Sequence, residues 1–363
     1  MRTRAPIEDI EMIEVDVKRL RAIGCTQPVA QALAGLDEEQ GTPMRVTEVH
    51  RETVRISDGS DELSARLLPR LQRALFDADA LAVGDWVLGF TDEHGDAWVG
   101  ARMPPLTQIV RRDSSGARQV LVSNVDTAML LMGCDGDFNP RRIERYLAMV
   151  KPAGIWPVIV LTKADLAGDA EARRETLSER LPREVVIHCV DARATAAAVE
   201  LAPYLGAGQT IVMLGSSGAG KSTLTNSLLG AHVQDTGAVR EDDSRGRHTT
   251  TTRSLHRLPG GACVIDTPGL RGLRPDIGEE DLAAAFSDIQ ALAEQCRFRD
   301  CSHGDEPGCA VRASVAADRL VNYQKMLREI RRETMTPLQR REQLAMWKAR
   351  GKAAELRMKM KRG

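Results

Sequence analysis

The chain has 363 residues, 42% of them apolar and 3% aromatic, with 50 Lys and Arg against 51 Asp and Glu. That length predicts two or three domains, packed mainly on Val, Leu, Ile and Ala, and the net charge of −1 excludes a uniformly basic nucleic-acid coat while leaving room for local patches. The apolar runs are strand-length rather than membrane-length, and residues 1–21 mix charges of both signs without the apolar stretch of a secretory leader, so a cytoplasmic protein with no membrane association is expected.

In chain order, residues 1–44 form a polar amino-terminal extension. Helix-like apolar spacing at 15–20 and 29–36 is broken by Gly24 and Pro28. Residues 45–112 change to short alternating strands punctuated by Asp58-Gly59 and Gly84-Asp85, which predicts a small β-barrel. Such a barrel can bind RNA on an exposed strand face or serve as a purely structural module. Residues 113–275 alternate strand and helix, the pattern of a doubly wound, mostly parallel α/β sheet. Residues 276–330 are mostly helical around a cysteine cluster. The tail, 331–363, carries eleven Lys and Arg against three Glu, with Trp347 among Lys348, Arg350 and Lys352. It suits phosphate contacts with one stacking contact, or else a solvated helix.

Within the α/β region, Gly215-Ser216-Ser217-Gly218-Ala219-Gly220-Lys221-Ser222 has the form G-x-x-x-x-G-K-S. It comes directly after an apolar strand at 210–214 and opens a helix at Ser222-Thr223. In that setting the loop N–H groups and the helix terminus converge on the α- and β-phosphates of a nucleotide. Lys221 reaches the β- and γ-phosphates, and the Ser222 hydroxyl binds Mg²⁺.

Thr162-Lys163-Ala164-Asp165 has the form of a guanine-reading motif and lies at the end of a strand-like run at 157–161. A carboxylate at Asp165 can accept both N1–H and N2–H₂ of guanine, a donor pair that adenine lacks. The stem of Lys163 can cover the base plane. Thr162 stands where most GTPases have Asn, so weaker bracing of the loop is expected there.

Asp266-Thr267-Pro268-Gly269 resembles the D-x-x-G sensor. Asp266 would hold Mg²⁺ through water, and the backbone of Gly269 would contact the γ-phosphate. Between the two lies Arg245-Gly246-Arg247-His248-Thr249-Thr250-Thr251-Thr252. One of its threonines should complete the Mg²⁺ shell, with Thr250 or Thr251 favoured. Leu270 replaces the water-orienting Gln of Ras-like enzymes, so intrinsic hydrolysis should be slow unless another group substitutes. His248 is the nearest candidate catalytic residue, set against a surface histidine in a mobile loop.

Cys296, Cys301, His303 and Cys309 place three thiolates and an imidazole within 14 positions. That set closes a tetrahedral, structural Zn²⁺ site; reduced thiols without metal are the alternative. Cys25, Cys134, Cys189 and Cys263 are scattered and read as packed thiols.

The base reader precedes the phosphate loop, the reverse of an ordinary GTPase. Together with the cysteine spacing, Val83-Gly84-Asp85-Trp86-Val87, Asn124-Val125-Asp126, the run Asp137-Phe138-Asn139-Pro140-Arg141-Arg142 and Gly246-Arg247-His248-Thr249-Thr250-Thr251, the chain resembles the ribosome-small-subunit-dependent GTPase A family, the circularly permuted YjeQ-type GTPases. The resemblance implies an OB-fold barrel, a permuted GTPase domain and a helical zinc domain. It also implies GTP hydrolysis to GDP, stimulated by the 30S ribosomal subunit late in its assembly, with 16S rRNA contacts through barrel, zinc domain and tail. A monomer is expected. Val190-Asp191-Ala192-Arg193 stands where the family has Ser-Ala or Ser-Ser, which leaves guanine contacts from that loop open. In the permuted order Asp266 leads almost directly into the zinc domain, so loss of the γ-phosphate would be passed to it. Two rivals remain: a P-loop ATPase or small-molecule kinase, which ATP competition against GDP would reveal, and a non-catalytic RNA-binding zinc protein, which has no need of Lys221, Ser222 and Asp266 together.

Overall fold

A computed structural model describes residues 16–36, 41–76, 80–113, 116–230, 253–267 and 274–334. They divide between two compact units, one from residues 1–111 and 119–273, the other from 112–118 and 274–363.

The first unit opens with two short helices, α1 (Val17–Arg21) and α2 (Gln27–Ala34). Asp16 caps α1 by accepting from the N–H groups of Lys18 and Arg19. Leu20, Ile23, Val29 and Leu33 bury against Trp86 and Met103. Strands β1 (Thr42–Val49), β2 (Val54–Ser57) and β3 (Glu62–Leu67), helix α3 (Pro69–Phe76), and strands β4 (Trp86–Thr91) and β5 (Ala97–Arg102) come next. They close in the ring β1-β2-β3-β5-β4-β1, with only the β3–β5 pairing parallel. Met44, Val46, Ile56, Ala65, Val87 and Val99 fill the interior. The ring is the five-stranded OB barrel. It begins at Thr42, inside the segment read as extension, because Thr42 and Met44 pair with Gly89 and Val87.

A hairpin, β6 (Gln108–Arg112) and β7 (Arg118–Ser123), leads to the α/β sheet. Its elements are β8 (Thr127–Gly133), α4 (Pro140–Val150), β9 (Trp156–Thr162), α5 (Ala170–Ser178), β10 (Val186–Cys189), α6 (Thr195–Glu200), β11 (Thr210–Gly215), α7 (Lys221–Leu229), β12 (Ser254–Arg257) and β13 (Cys263–Asp266). The strand order is β10-β9-β8-β11-β13-β12, with the first five parallel and β12 antiparallel. Strands buried on both faces need apolar side chains at every position. In β8, Ala128, Leu130 and Met132 pack with Ile143, Tyr146, Leu147 and Val150 of α4, while Met129 and Leu131 pack on the opposite face with Ala197 of α6 and Leu224 and Leu228 of α7. The α4 residues recur at i, i+3, i+4 and i+7, one face of a helix.

The barrel is sewn to this sheet by buried polar groups. Arg45, fully buried in β1, donates to the carbonyls of Ile23 (2.5 Å) and Asn124 (2.8 Å) and to the Thr210 hydroxyl (2.8 Å), and lies 5.4 Å above the Trp86 ring. Burial lowers its pKa, opposed by Cys263, Asp126, Cys25 and Asp85. Asn124 donates to the Gly84 carbonyl (3.0 Å), and the Asp126 carboxylate accepts the Thr210 N–H (2.7 Å).

The second unit is helical: α8 (Glu279–Ala285), α9 (Ser287–Ala293), α10 (Ala310–Ser314) and α11 (Ala317–Thr334). Phe286 is its buried aromatic, with the Arg319 guanidinium 4.8 Å from the ring and Tyr323 edge-on at 5.4 Å. Asp276 receives Arg112 (2.7 Å) and Arg118 (3.0 Å). Helix α11 runs past Arg331, the residue at which the sequence places the start of the basic tail; Trp347 and the rest of that tail lie outside the described residues. Among the described residues, no helix is long and apolar enough to cross a membrane.

Candidate functional site

Strand β11 delivers the chain to Gly215, where a Cβ would fall 2.7 Å from the Leu131 carbonyl oxygen, so a side chain would push β11 off β8. Gly218 and Gly220 then adopt φ of +82° and +88°, the left-handed region that turns the loop back to start α7 at Lys221. The leading N–H groups of α7, on Lys221, Ser222 and Thr223, have no helical carbonyl ahead of them and suit an anion. Lys221 is 7% exposed, and its ammonium donates to the loop carbonyls of Gly215 (3.0 Å) and Ser216 (2.8 Å). Burial lowers its pKa, with Asp266 and Asp137 pulling the other way. A cation resting on neutral carbonyls is poised to exchange them for phosphate oxygens, which are stronger partners.

The base-reading turn lies one strand away, across β8. Thr162 ends β9 fully buried, and its hydroxyl donates to the carbonyl of Ala219 in the phosphate loop (2.8 Å). Thr162, at the position where weaker bracing is expected, makes this one direct hydrogen bond to the loop. Lys163 has φ +59° and pairs with Asp135 at 2.6 Å. Asp165 is exposed in the turn beyond it. The N–H of Ala164 reaches the Val190 carbonyl (3.4 Å), which brings the 190–193 segment beside the base reader; there Asp191 accepts the Arg193 N–H (2.9 Å).

Asp266 ends β13, opposite Met213 of β11, and is 1% exposed. The Thr267 hydroxyl donates to the Met213 carbonyl (2.7 Å) and pins the chain as it leaves the strand. Ser222 in the first turn of α7 and Asp266 at the end of β13 each offer an oxygen donor, the ligand type Mg²⁺ prefers. His248, Thr249, Thr250, Thr251, Thr252 and Gly269 lie outside the described residues.

Two residues here carry no chemical reading in the sequence. Arg142 donates to the Ser216 hydroxyl (2.8 Å), which itself donates to Asp137 (2.5 Å), and Arg142 and Asp137 pair with each other. Their sequence signal is faint: an acidic residue and an arginine flanking the Asn139-Pro140 start of a helix.

In the second unit, the ligand atoms of Cys296, Cys301, His303 and Cys309 all lie within 4.8 Å of one another. Cys296 Sγ is 3.9 Å from Cys309 Sγ and 3.7 Å from His303 Nδ1, with Cys309 Sγ 3.6 Å from the same nitrogen. A tetrahedral ion holding thiolates at about 2.3 Å sets them roughly 3.8 Å apart, so the four groups fit zinc. Backbone N–H donation from Val311, and also from Ala310, lowers the Cys296 pKa, while, against donation from the His303 N–H, desolvation and the neighbouring cysteines push Cys301 up to about 11. Glu306 accepts the N–H of Ser302 (3.1 Å) and of Gly304 (2.7 Å) and the Ser302 hydroxyl, stapling the loop that carries His303.

Comparison with known proteins gives a consistent pattern. The family model described as RsgA GTPase matches residues 103–275. A protein of Xanthomonas oryzae pv. oryzae (strain MAFF 311018) named small ribosomal subunit biogenesis GTPase RsgA is 50% identical over 302 residues, 80% of this chain and 81% of that protein. The protein of the same name from Xanthomonas campestris pv. campestris (strain B100) is 49% identical with the same coverage. Among solved structures, YjeQ from Thermotoga maritima aligns with TM-score 0.58 at 26% identity, over 79% of this chain and 98% of its own. YloQ, described as a circularly permuted GTPase, aligns with TM-score 0.53 at 22% identity, over 81% of this chain and 96% of its own, and supports the fold.

Proposed function

The chain belongs to the RsgA family of GTPases and is a GTP hydrolase; we propose that it acts on the small (30S) ribosomal subunit late in its assembly, with hydrolysis stimulated by that particle. The observation that carries the nucleotide site is the Thr162–Ala219 hydrogen bond, which ties the base-reading turn to the phosphate loop. In this reading Asp165 accepts the two guanine donors and Lys163 leaves Asp135 to cover the base. The N–H groups of 216–223 hold the phosphates, and Lys221 moves from the loop carbonyls onto the β- and γ-oxygens.

Ser222, Asp266 and a threonine, Thr250 or Thr251, hold Mg²⁺. When bound, Mg²⁺ offsets charge on the β- and γ-oxygens. Gly269 contacts the γ-phosphate, and His248 orients the attacking water in place of the missing Gln. The Cys₃His zinc site is structural. The chain passes from Asp266 to the second unit within eight residues, so a shift at the γ-phosphate is handed on covalently. Barrel, zinc unit and basic tail contact 16S rRNA, and the protein works as a cytoplasmic monomer.

The test is GTP hydrolysis by the zinc-loaded protein, alone and with 30S subunits. Slow turnover alone and a large rise with the particle support the proposal. GDP binding with no rise would keep the fold and remove the partner. Displacement of GDP by ATP would instead favour the ATPase reading.

A further inference from the structure

We propose that Asp137 and Arg142 are positioning residues for the phosphate loop, holding the Ser216 hydroxyl between them and cancelling a negative charge that would otherwise oppose the γ-phosphate. This rests on reading 215–223 as the nucleotide's phosphate site. Backbone N–H groups do the phosphate binding in such a loop, which leaves the side chain at 216 available for another purpose. Here Ser216 is gripped twice. Its carbonyl accepts Lys221 at 2.8 Å, and its hydroxyl accepts from Arg142 at 2.8 Å and donates to Asp137 at 2.5 Å.

The clamp is built on the start of α4. Asn139 and Pro140 set the first turn, so Arg142 points back over residue 137 and also reaches its carbonyl (3.4 Å). The short segment from 135 to 138 is anchored from both sides of the site. Asp135 pairs with Lys163 of the base reader (2.6 Å), its carbonyl accepts Arg173 (2.9 Å), and Arg173 lies 5.1 Å from the Phe138 ring. One segment therefore touches both nucleotide motifs, through Asp135 at the base end and Asp137 at the phosphate end.

Electrostatics give the clamp a preference. Asp137 is close enough to Lys221 to act on it, as Asp266 does. An unpaired carboxylate there would help Lys221 stay charged but repel an incoming polyphosphate. Arg142 removes that repulsion. GTP carries one more anionic phosphoryl group than GDP, so loss of Arg142 should penalise GTP more.

The experiment measures dissociation constants of a non-hydrolysable GTP analogue and of GDP, with kcat and KM for GTP, on the full chain and its variants. Arg142→Ala should weaken the GTP analogue about tenfold and GDP by about threefold or less, and adding Asp137→Asn should restore most of the loss. Asp137→Asn alone should shift preference toward the GTP analogue about threefold, which keeps the test open if Arg142→Ala fails to fold. Equal losses for both nucleotides with no rescue by Asp137→Asn would mark a merely structural contact and overturn the proposal. Wild-type protein that binds neither nucleotide would instead overturn the reading of the phosphate site itself.

Discussion

Thr162→Val removes one hydroxyl and nearly nothing else. The side chain is fully buried, its hydroxyl donates to Ala219 at 2.8 Å, and Ala219 is itself fully buried. Valine keeps the branched shape at the strand end but leaves the Ala219 carbonyl without that donor. A lost buried bond with an unsatisfied acceptor costs about 1–3 kcal/mol, and a central value of about 2 kcal/mol falls on the ordered form of the phosphate loop. If only that form binds nucleotide, the competent fraction drops and the apparent dissociation constant for GDP rises, by up to about thirtyfold. Thr162→Ser keeps the donor and should stay within about threefold of wild type. Titration with a fluorescent GDP analogue reads the affinities, and nucleotide-free melting of each variant separates loop order from global stability. GDP affinity of Thr162→Val within about twofold of wild type would refute the claim that this bond orders the loop.

Replacing Arg45 with Met leaves the buried carbonyls of Ile23 and Asn124 without their donor; two orphaned acceptors at about 1–3 kcal/mol each give an expected loss of about 3–5 kcal/mol. Thermal scanning should show a fall of about 6–20 °C. Chelation of zinc, or Cys301→Ser, should release the ion and lower the helical circular dichroism of the second unit, with the colorimetric zinc signal and the spectral change coinciding. The Ser302 hydroxyl, with backbone N–H groups, holds the Glu306 carboxyl down to about 2. A depressed folded pKa means that its stabilisation is present above the ordinary glutamate range and is lost as pH falls toward that value. Acid titration of Glu306→Gln should therefore show a shallower pH dependence in that window than wild type, and identical curves would remove the staple's role.

What was legible in the sequence was local. The phosphate loop and the Cys/His set each encode geometry in the spacing of a few adjacent residues, and their apolar flanks announce the strand and helix that carry them. The polar seams were not legible, because their partners arrive from remote segments. Arg45 sits in an alternating strand where its position reads as the wet face, yet Ile23, Asn124 and Thr210 converge on it. Ser216 reads as an interchangeable loop residue until Asp137, 79 positions away, and Arg142, 74 away, close on its hydroxyl. The barrel's start at Thr42 was hidden for a related reason: Thr42 is held by a cross-strand partner 47 residues on, not by a pattern in its own neighbourhood.

The permuted order changes covalent links and leaves strand neighbours alone. Strand β8 stands between β9 and β11, so the turn after β9 and the loop after β11 meet above its carboxyl end whichever is made first. Gly133 of β8 pairs with Thr162, and Leu131 of β8 with Gly215, so the middle strand sets the register between base reader and phosphate loop. The next two residues extend that role, since the N–H of Cys134 binds the Thr162 carbonyl (2.8 Å) and Asp135 binds Lys163. Chain order instead decides which part of the protein follows the end of β13. Among the described residues, no strand of this sheet comes after β13, and the chain enters the second unit at Arg274.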